Sequence, residues 1–152
     1  MKPILNIIVF LGFCLTINAQ VSNPEYDAVL AKSLGADQYG MKSYVLVLLK
    51  TGDSQITDPE KVNELFTGHM TNINRLAEEG KLIVAGPIGK NDKSYRGIFI
   101  LNVSTVEEGV ELVQTDPAVS SGLLAAEYFP WYGSAALPVY LETAKKITQV
   151  NP

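Results

Sequence analysis

Apolar and polar positions change period several times along this chain. From Lys42 to Lys50 the run KSYVLVLLK is rich in β-formers and stops at Thr51-Gly52-Asp53, which predicts a buried strand and a turn. Asp58-Pro59 then supplies an N-cap with proline at the first helical position. Val62, Leu65, Phe66, Met70, Ile73, Leu76 and Ala77 mark one helical face until Gly80 stops it. Lys81 to Ile88 predicts a second strand, Gly89 to Lys93 a polar connector, and Tyr95 to Val103 a third strand, together a hairpin. Ser104 or Thr105 caps a second helix carrying Val106, Val110, Leu112 and Val113, with Glu107 and Glu108 in the first turn, where the helix dipole favours carboxylates. Asp116-Pro117 opens a short helix through Leu123, and Ala125 to Tyr132 predicts a fourth strand. Outside this core, Tyr26, Val29, Leu30 and Leu34 recur at helical spacing between Pro24 and Leu34. Val139, Tyr140, Thr143, Ala144 and Ile147 do so within Leu137 to Thr148. A docking helix is expected at each end.

Without the flanking helices the order is β-α-β-β-α-β. This is an α+β pattern of ferredoxin-like type, an antiparallel sheet with two main helices on one face. The first strand is apolar at both parities: Tyr44, Leu46 and Leu48 point one way, Val45, Val47 and Leu49 the other. Both faces therefore need cover. Two short terminal helices make a small lid, so a homodimer with sheets face to face is expected.

The first twenty residues change the picture of where this domain works. Lys2, an apolar run from Ile4 to Ile17 and Ala19 before a polar stretch follow the order of a signal peptide. The run is too short to span a bilayer, so the expectation is export to the periplasm or extracellular space with no stable membrane insertion after cleavage following Ala19. The predicted division is a signal peptide at 1–19, an N-terminal extension with a short helix at 20–41, the ferredoxin-like domain at 42–133 and a C-terminal helix at 134–152. Cys14 is the only cysteine and leaves with the signal, which excludes disulfides and thiolate metal sites from the mature chain. The net charge of -4 and the scattered Lys and Arg argue against nucleic acid as a partner.

Candidate chemistry is sparse. The single histidine rules out a His/His metal cluster within one chain, the acidic residues lack calcium-loop spacing, and no G-x-S-x-G elbow occurs. Gly86-Pro87-Ile88-Gly89-Lys90 lacks the length and the Ser/Thr of a phosphate-binding loop, so no cofactor is expected. His69, three or four positions from Leu65, Phe66 and Ile73, falls on the apolar stripe of the long helix, where a buried imidazole needs a polar partner. By pattern alone it reads as a hydrogen-bonded core histidine. Asp116 before Pro117 reads by itself as a helix N-cap. If the fold joins them, the carboxylate would fix the imidazole tautomer and leave the other ring nitrogen to take or give a proton.

The stretch His69 to Pro87, HMTNINRLAEEGKLIVAGP, with Asp116-Pro117 in QTDPAVSSGLL, resembles the YCII-related domain family, whose members share a helix histidine, an EG-[KR]-L…AGP segment and a later Asp-Pro. The resemblance covers about Lys42 to Trp131. It implies a ferredoxin-like subunit, dimerisation in the manner of dimeric α/β-barrels, and an active site at His69 and Asp116. The signal, the Pro24 to Gly40 extension and the C-terminal helix depart from short cytosolic relatives. Arg96, Tyr44, Tyr128 and Trp131 are further candidates for holding a small-molecule ligand at the sheet mouth, each with a plain alternative as surface cation, core or dimer contact. The expected function is cofactor-free acid/base chemistry of lyase, isomerase or hydrolase type on a small organic molecule. The alternative is a non-catalytic small-molecule-binding or interaction module of the cell envelope.

Overall fold

The computed structural model describes residues 23–149. The predicted signal peptide, Cys14 included, lies outside the described residues. The elements are α1 (Ala28–Leu34), β1 (Met41–Thr51), α2 (Pro59–Glu78), β2 (Leu82–Pro87), β3 (Tyr95–Leu101), α3 (Val106–Gln114), α4 (Pro117–Ser120), β4 (Leu124–Ser134), a 3-10 turn (Leu137–Tyr140) and α5 (Leu141–Ile147). The four strands form one sheet in the order β2-β3-β1-β4, antiparallel at every pairing, so the chain has the ferredoxin-like α+β fold.

Local chemistry explains most boundaries. Asp58 caps α2 by accepting from the Glu60 N–H, and Pro59 occupies the first turn, where a missing donor costs nothing. Gly80 takes the left-handed conformation just past the helix end, at φ 68°. Thr105 rather than Ser104 caps α3, and its pairing with Glu108 completes a capping box.

β1 divides the molecule. Residues paired directly across antiparallel strands share a sheet face, so Val47, Phe99 and Tyr128 form one row on the same face, between the row of Val45 and Leu101 and that of Leu49 and Ala126. These rows, with Leu76, Val113 and Val119 from the helices, make the hydrophobic core. α3 presses so closely here that a Cβ on Gly109 would stand 3.0 Å from Cγ1 of Val45. The opposite face carries Tyr44 and Trp131, Leu46, Ile100 and Phe129, then Leu48, Ile98 and Glu127. Its centre is only half covered, and Phe129 is 44 % exposed.

Several elements depart from the sequence pattern. β4 extends to Ser134, because eleven residues of β1 pair with it without a register shift and carry the ladder beyond the apolar run. α4 ends at Ser120 instead of reaching Leu123, since Gly122 turns the chain at φ 75°. The expected C-terminal helix is two pieces, a 3-10 turn containing Pro138 and then α5. Neither terminal helix buries an apolar stripe: Val29 is 80 % and Ile147 78 % exposed. The extension is held instead by polar contacts, Asp37 accepting hydrogen bonds from the Tyr39 and Met41 N–H groups and from the Tyr132 hydroxyl. At the other end, Tyr140 donates to the Ile83 carbonyl on the edge strand β2.

Candidate functional site

α2 and the junction between α3 and α4 run past each other as a short ladder. Ascending α2, Gly68, His69 and Asn72 meet Pro117, Asp116 and Thr115 in reverse order. The buried centre of α2 is Leu65, His69, Asn72 and Leu76, a stripe at helical spacing. The apolar face read from the sequence is rotated slightly from this, and Phe66 stands at its rim, 38 % exposed.

At the middle rung, His69 Nδ1 lies 2.6 Å from Asp116 Oδ2. The Asp116 side chain is fully buried and that of His69 is 12 % exposed. The other carboxylate oxygen accepts from the Ala118 N–H at 2.9 Å, so the helix cap and the histidine partner are one group with each oxygen assigned. A carboxylate only accepts, which places an imidazole hydrogen on Nδ1, so that in the neutral ring the lone pair is on Nε2. The ring is fixed further by Phe99, stacked at 6.0 Å between centroids and 24°, and by Phe66, edge-on at 6.1 Å. Phe99 belongs to the Val47 row, so the site lies between α2 and the helix-covered sheet face.

The other residues singled out in the sequence are not gathered around His69. Tyr44 and Trp131 are ring partners tilted by 40°, 5.6 Å between centroids, on the opposite sheet face. The Tyr44 hydroxyl donates to the Ser134 carbonyl at 2.8 Å, and burial raises its phenol above the usual range. Arg96 is exposed and lines a hollow of about 490 Å3 at the β2–β3 hairpin. Tyr128 shares the helix-covered face with Phe99 but lines a separate hollow of about 510 Å3 beside α4. Its hydroxyl is buried with no hydrogen-bond partner, and burial raises its phenol too. Nothing among the described residues gathers three or more His, Cys, Asp or Glu into a possible metal site.

Four groups around the pair were not singled out by sequence reasoning: Gly68, Asn72, Phe99 and Thr115. Asn72 was the most detectable, being a polar residue on the inward stripe three positions after His69. The others became visible only through contacts between distant segments.

The model of the YCII-related domain family matches residues 43–132. Among solved structures, the chain is similar to 5-chloro-2-hydroxyhydroquinone dehydrochlorinase from Burkholderia phenoliruptrix AC1100, in a complex with 2,5-dihydroxybenzoquinone. That likeness has 22 % identity and a TM-score of 0.39, and covers 57 % of this chain and 92 % of that one. No curated protein matches the chain.

Proposed function

Since this chain belongs to the YCII-related domain family, we propose that it is a cofactor-independent enzyme using His69 for acid/base chemistry on a small organic molecule. Nε2 takes a proton from a carbon or oxygen acid of the substrate, forming an imidazolium whose Nδ1–H remains bonded to the Asp116 carboxylate. The proton is then returned to another substrate atom in an isomerisation, or to the departing group in a lyase step. In a hydrolase step the proton that Nε2 takes is that of an attacking water, whose oxygen bonds to the substrate as the proton passes to the departing group. Asp116 keeps the ring in the productive tautomer and offsets the charge that develops on it. The observation carrying this reading is the 2.6 Å contact of a directional, fully buried carboxylate with the single histidine of the chain.

The test is a screen of small hydroxylated, halogenated and carbonyl compounds for turnover, followed by His69→Gln. Loss of about 10²-fold or more in kcat with the fold intact is expected. A variant that turns the same compound over at the wild-type rate would refute the role.

Two further parts of the proposal concern setting. The protein is exported after cleavage behind Ala19, a reading supported by the order of Lys2, apolar run and Ala19. Mass spectrometry of the protein from a cell-envelope fraction should then find Gln20 as the first residue, and a chain retaining Met1 would contradict it. The working form is a homodimer closed across the half-covered sheet face, a reading supported by the rows of Leu46, Leu48, Ile98 and Ile100 that neither terminal helix buries.

A further inference from the structure

We propose that Asn72 and Thr115, joined through Arg75, are positioning residues that fix the angle at which the His69 imidazole meets Asp116. The inference rests on the acid/base reading for its catalytic consequence, but its geometry stands apart from any reaction.

Asn72 is buried on the stripe that faces the core, a place where an apolar side chain would pack without needing partners. Its Oδ1 accepts from Arg75 Nη2 at 2.8 Å and stands 3.0 Å from Thr115 Oγ1. Arg75 Nη2 also donates to Thr115 Oγ1, at 2.9 Å, and Nη1 of the same guanidinium donates to Glu79 at 2.8 Å. The Thr115 hydroxyl has a single proton and lies 2.6 Å from the Leu112 carbonyl as well as near Asn72, so it serves one acceptor at a time. The guanidinium is therefore the group that can hold both side chains at once, through rigid and planar donors anchored at its far end by Glu79.

The leverage comes from sequence adjacency. Thr115 is bonded directly to Asp116, and Asn72 is about one helical turn beyond His69. The approach of Gly68 to Pro117, one of several contacts between α2 and α4, sets how closely the two segments come, but steric contact alone leaves them some freedom to pivot. Adding the Asn72 and Thr115 rung on the other side of the His69 and Asp116 pair removes that freedom. A hydrogen bond weakens steeply as it bends, so a small pivot would cost the imidazole its orientation long before the fold was lost.

The test reads the imidazole itself by nuclear magnetic resonance, in Asn72→Leu, Thr115→Val and Asn72→Asp. Asn72→Leu and Thr115→Val should shift the Nδ1 proton of His69 upfield and speed its exchange with water roughly tenfold or more, matching loss of one charge-assisted hydrogen bond. Asn72→Asp keeps an acceptor for Arg75 and should restore the wild-type signal, which a merely volume-filling role would not predict. If Asn72→Leu fails to fold, Thr115→Val carries the same test with a nearly unchanged side-chain shape. A folded Asn72→Leu or Thr115→Val whose imidazole signals match the wild type would overturn the proposal. With a substrate in hand, kcat should fall by up to about 10²-fold with little change in KM. Altered imidazole signals with unaltered turnover would count against the acid/base reading and leave the positioning geometry standing.

Discussion

A Cβ placed on Gly68 would stand 2.8 Å from Cγ of Pro117, closer than side chains pack, so the approach of α2 to α4 depends on the absence of a side chain at that position. The same approach brings the next residue on each segment together as the His69 and Asp116 pair.

Gly68→Ala separates this contact from ordinary helix propensity by its sign. On an open helix face the change would stabilise by about 1 kcal/mol. Against Pro117, whose ring cannot swing aside as a flexible chain can, a net destabilisation of about 1–3 kcal/mol is expected. Urea denaturation measures it, and a stabilised variant would show that α2 and α4 are not in close contact.

Asp116 carries two structural duties, and substitutions should divide them. Asp116→Ala loses the cap of α4 and the partner of His69, with an expected cost of about 2–4 kcal/mol. Asp116→Asn retains an oxygen for the Ala118 N–H but presents an amide to Nδ1, so it should cost less, about 1–2 kcal/mol, and still shift the histidine tautomer. Denaturation curves give the first quantity and nitrogen chemical shifts of the imidazole the second. Equal stability of wild type and Asp116→Ala would deny the buried pair any structural weight.

The proposed dimer predicts that Leu48→Lys, placed at the centre of the half-covered sheet face, converts the protein to a folded monomer. Sedimentation velocity provides the measurement. A wild-type protein that sediments as a monomer at micromolar concentration would end this part of the proposal.

The polar clasp of the N-terminal extension gives a pH prediction. The hydrogen bond to the Asp37 carboxylate pushes the Tyr132 phenol up to about 12, because the neutral phenol donates and a phenolate would face a like charge. A folded-state value above the unfolded one means that the clasp contributes fully below about pH 10, down to the carboxylate range in which Asp37 protonates, and loses its contribution as pH rises through about 12. Tyrosine absorbance titration should show one phenol ionising last, and Asp37→Asn should return it toward the ordinary range. No change in Asp37→Asn would mean that the clasp does not form in solution.

Much of the fold was legible because period and punctuation agree. KSYVLVLLK has the composition of a strand with two apolar faces, and Asp58-Pro59 and Gly80 bracket the long helix by capping chemistry that needs no distant partner. The ends were less legible. The stripes of Tyr26, Val29 and Leu30, and of Val139 and Ile147, have the spacing of docking helices, yet those residues lie exposed. Spacing specifies which face of a helix is apolar but not whether another surface meets it.

The sequence by itself determined the order of elements, the inward direction of His69, the cap at Asp116 and the two-sided apolar character of β1, because each depends on residues within a few positions of one another. Only the tertiary structure decided that these two side chains meet, 47 positions apart at 2.6 Å, while Tyr44 and Trp131 fall on the other side of the sheet. Strand register and helix approach set those relationships. They are fixed by close packing between distant segments, where one missing methyl group at Gly68 allows an approach that no local pattern encodes.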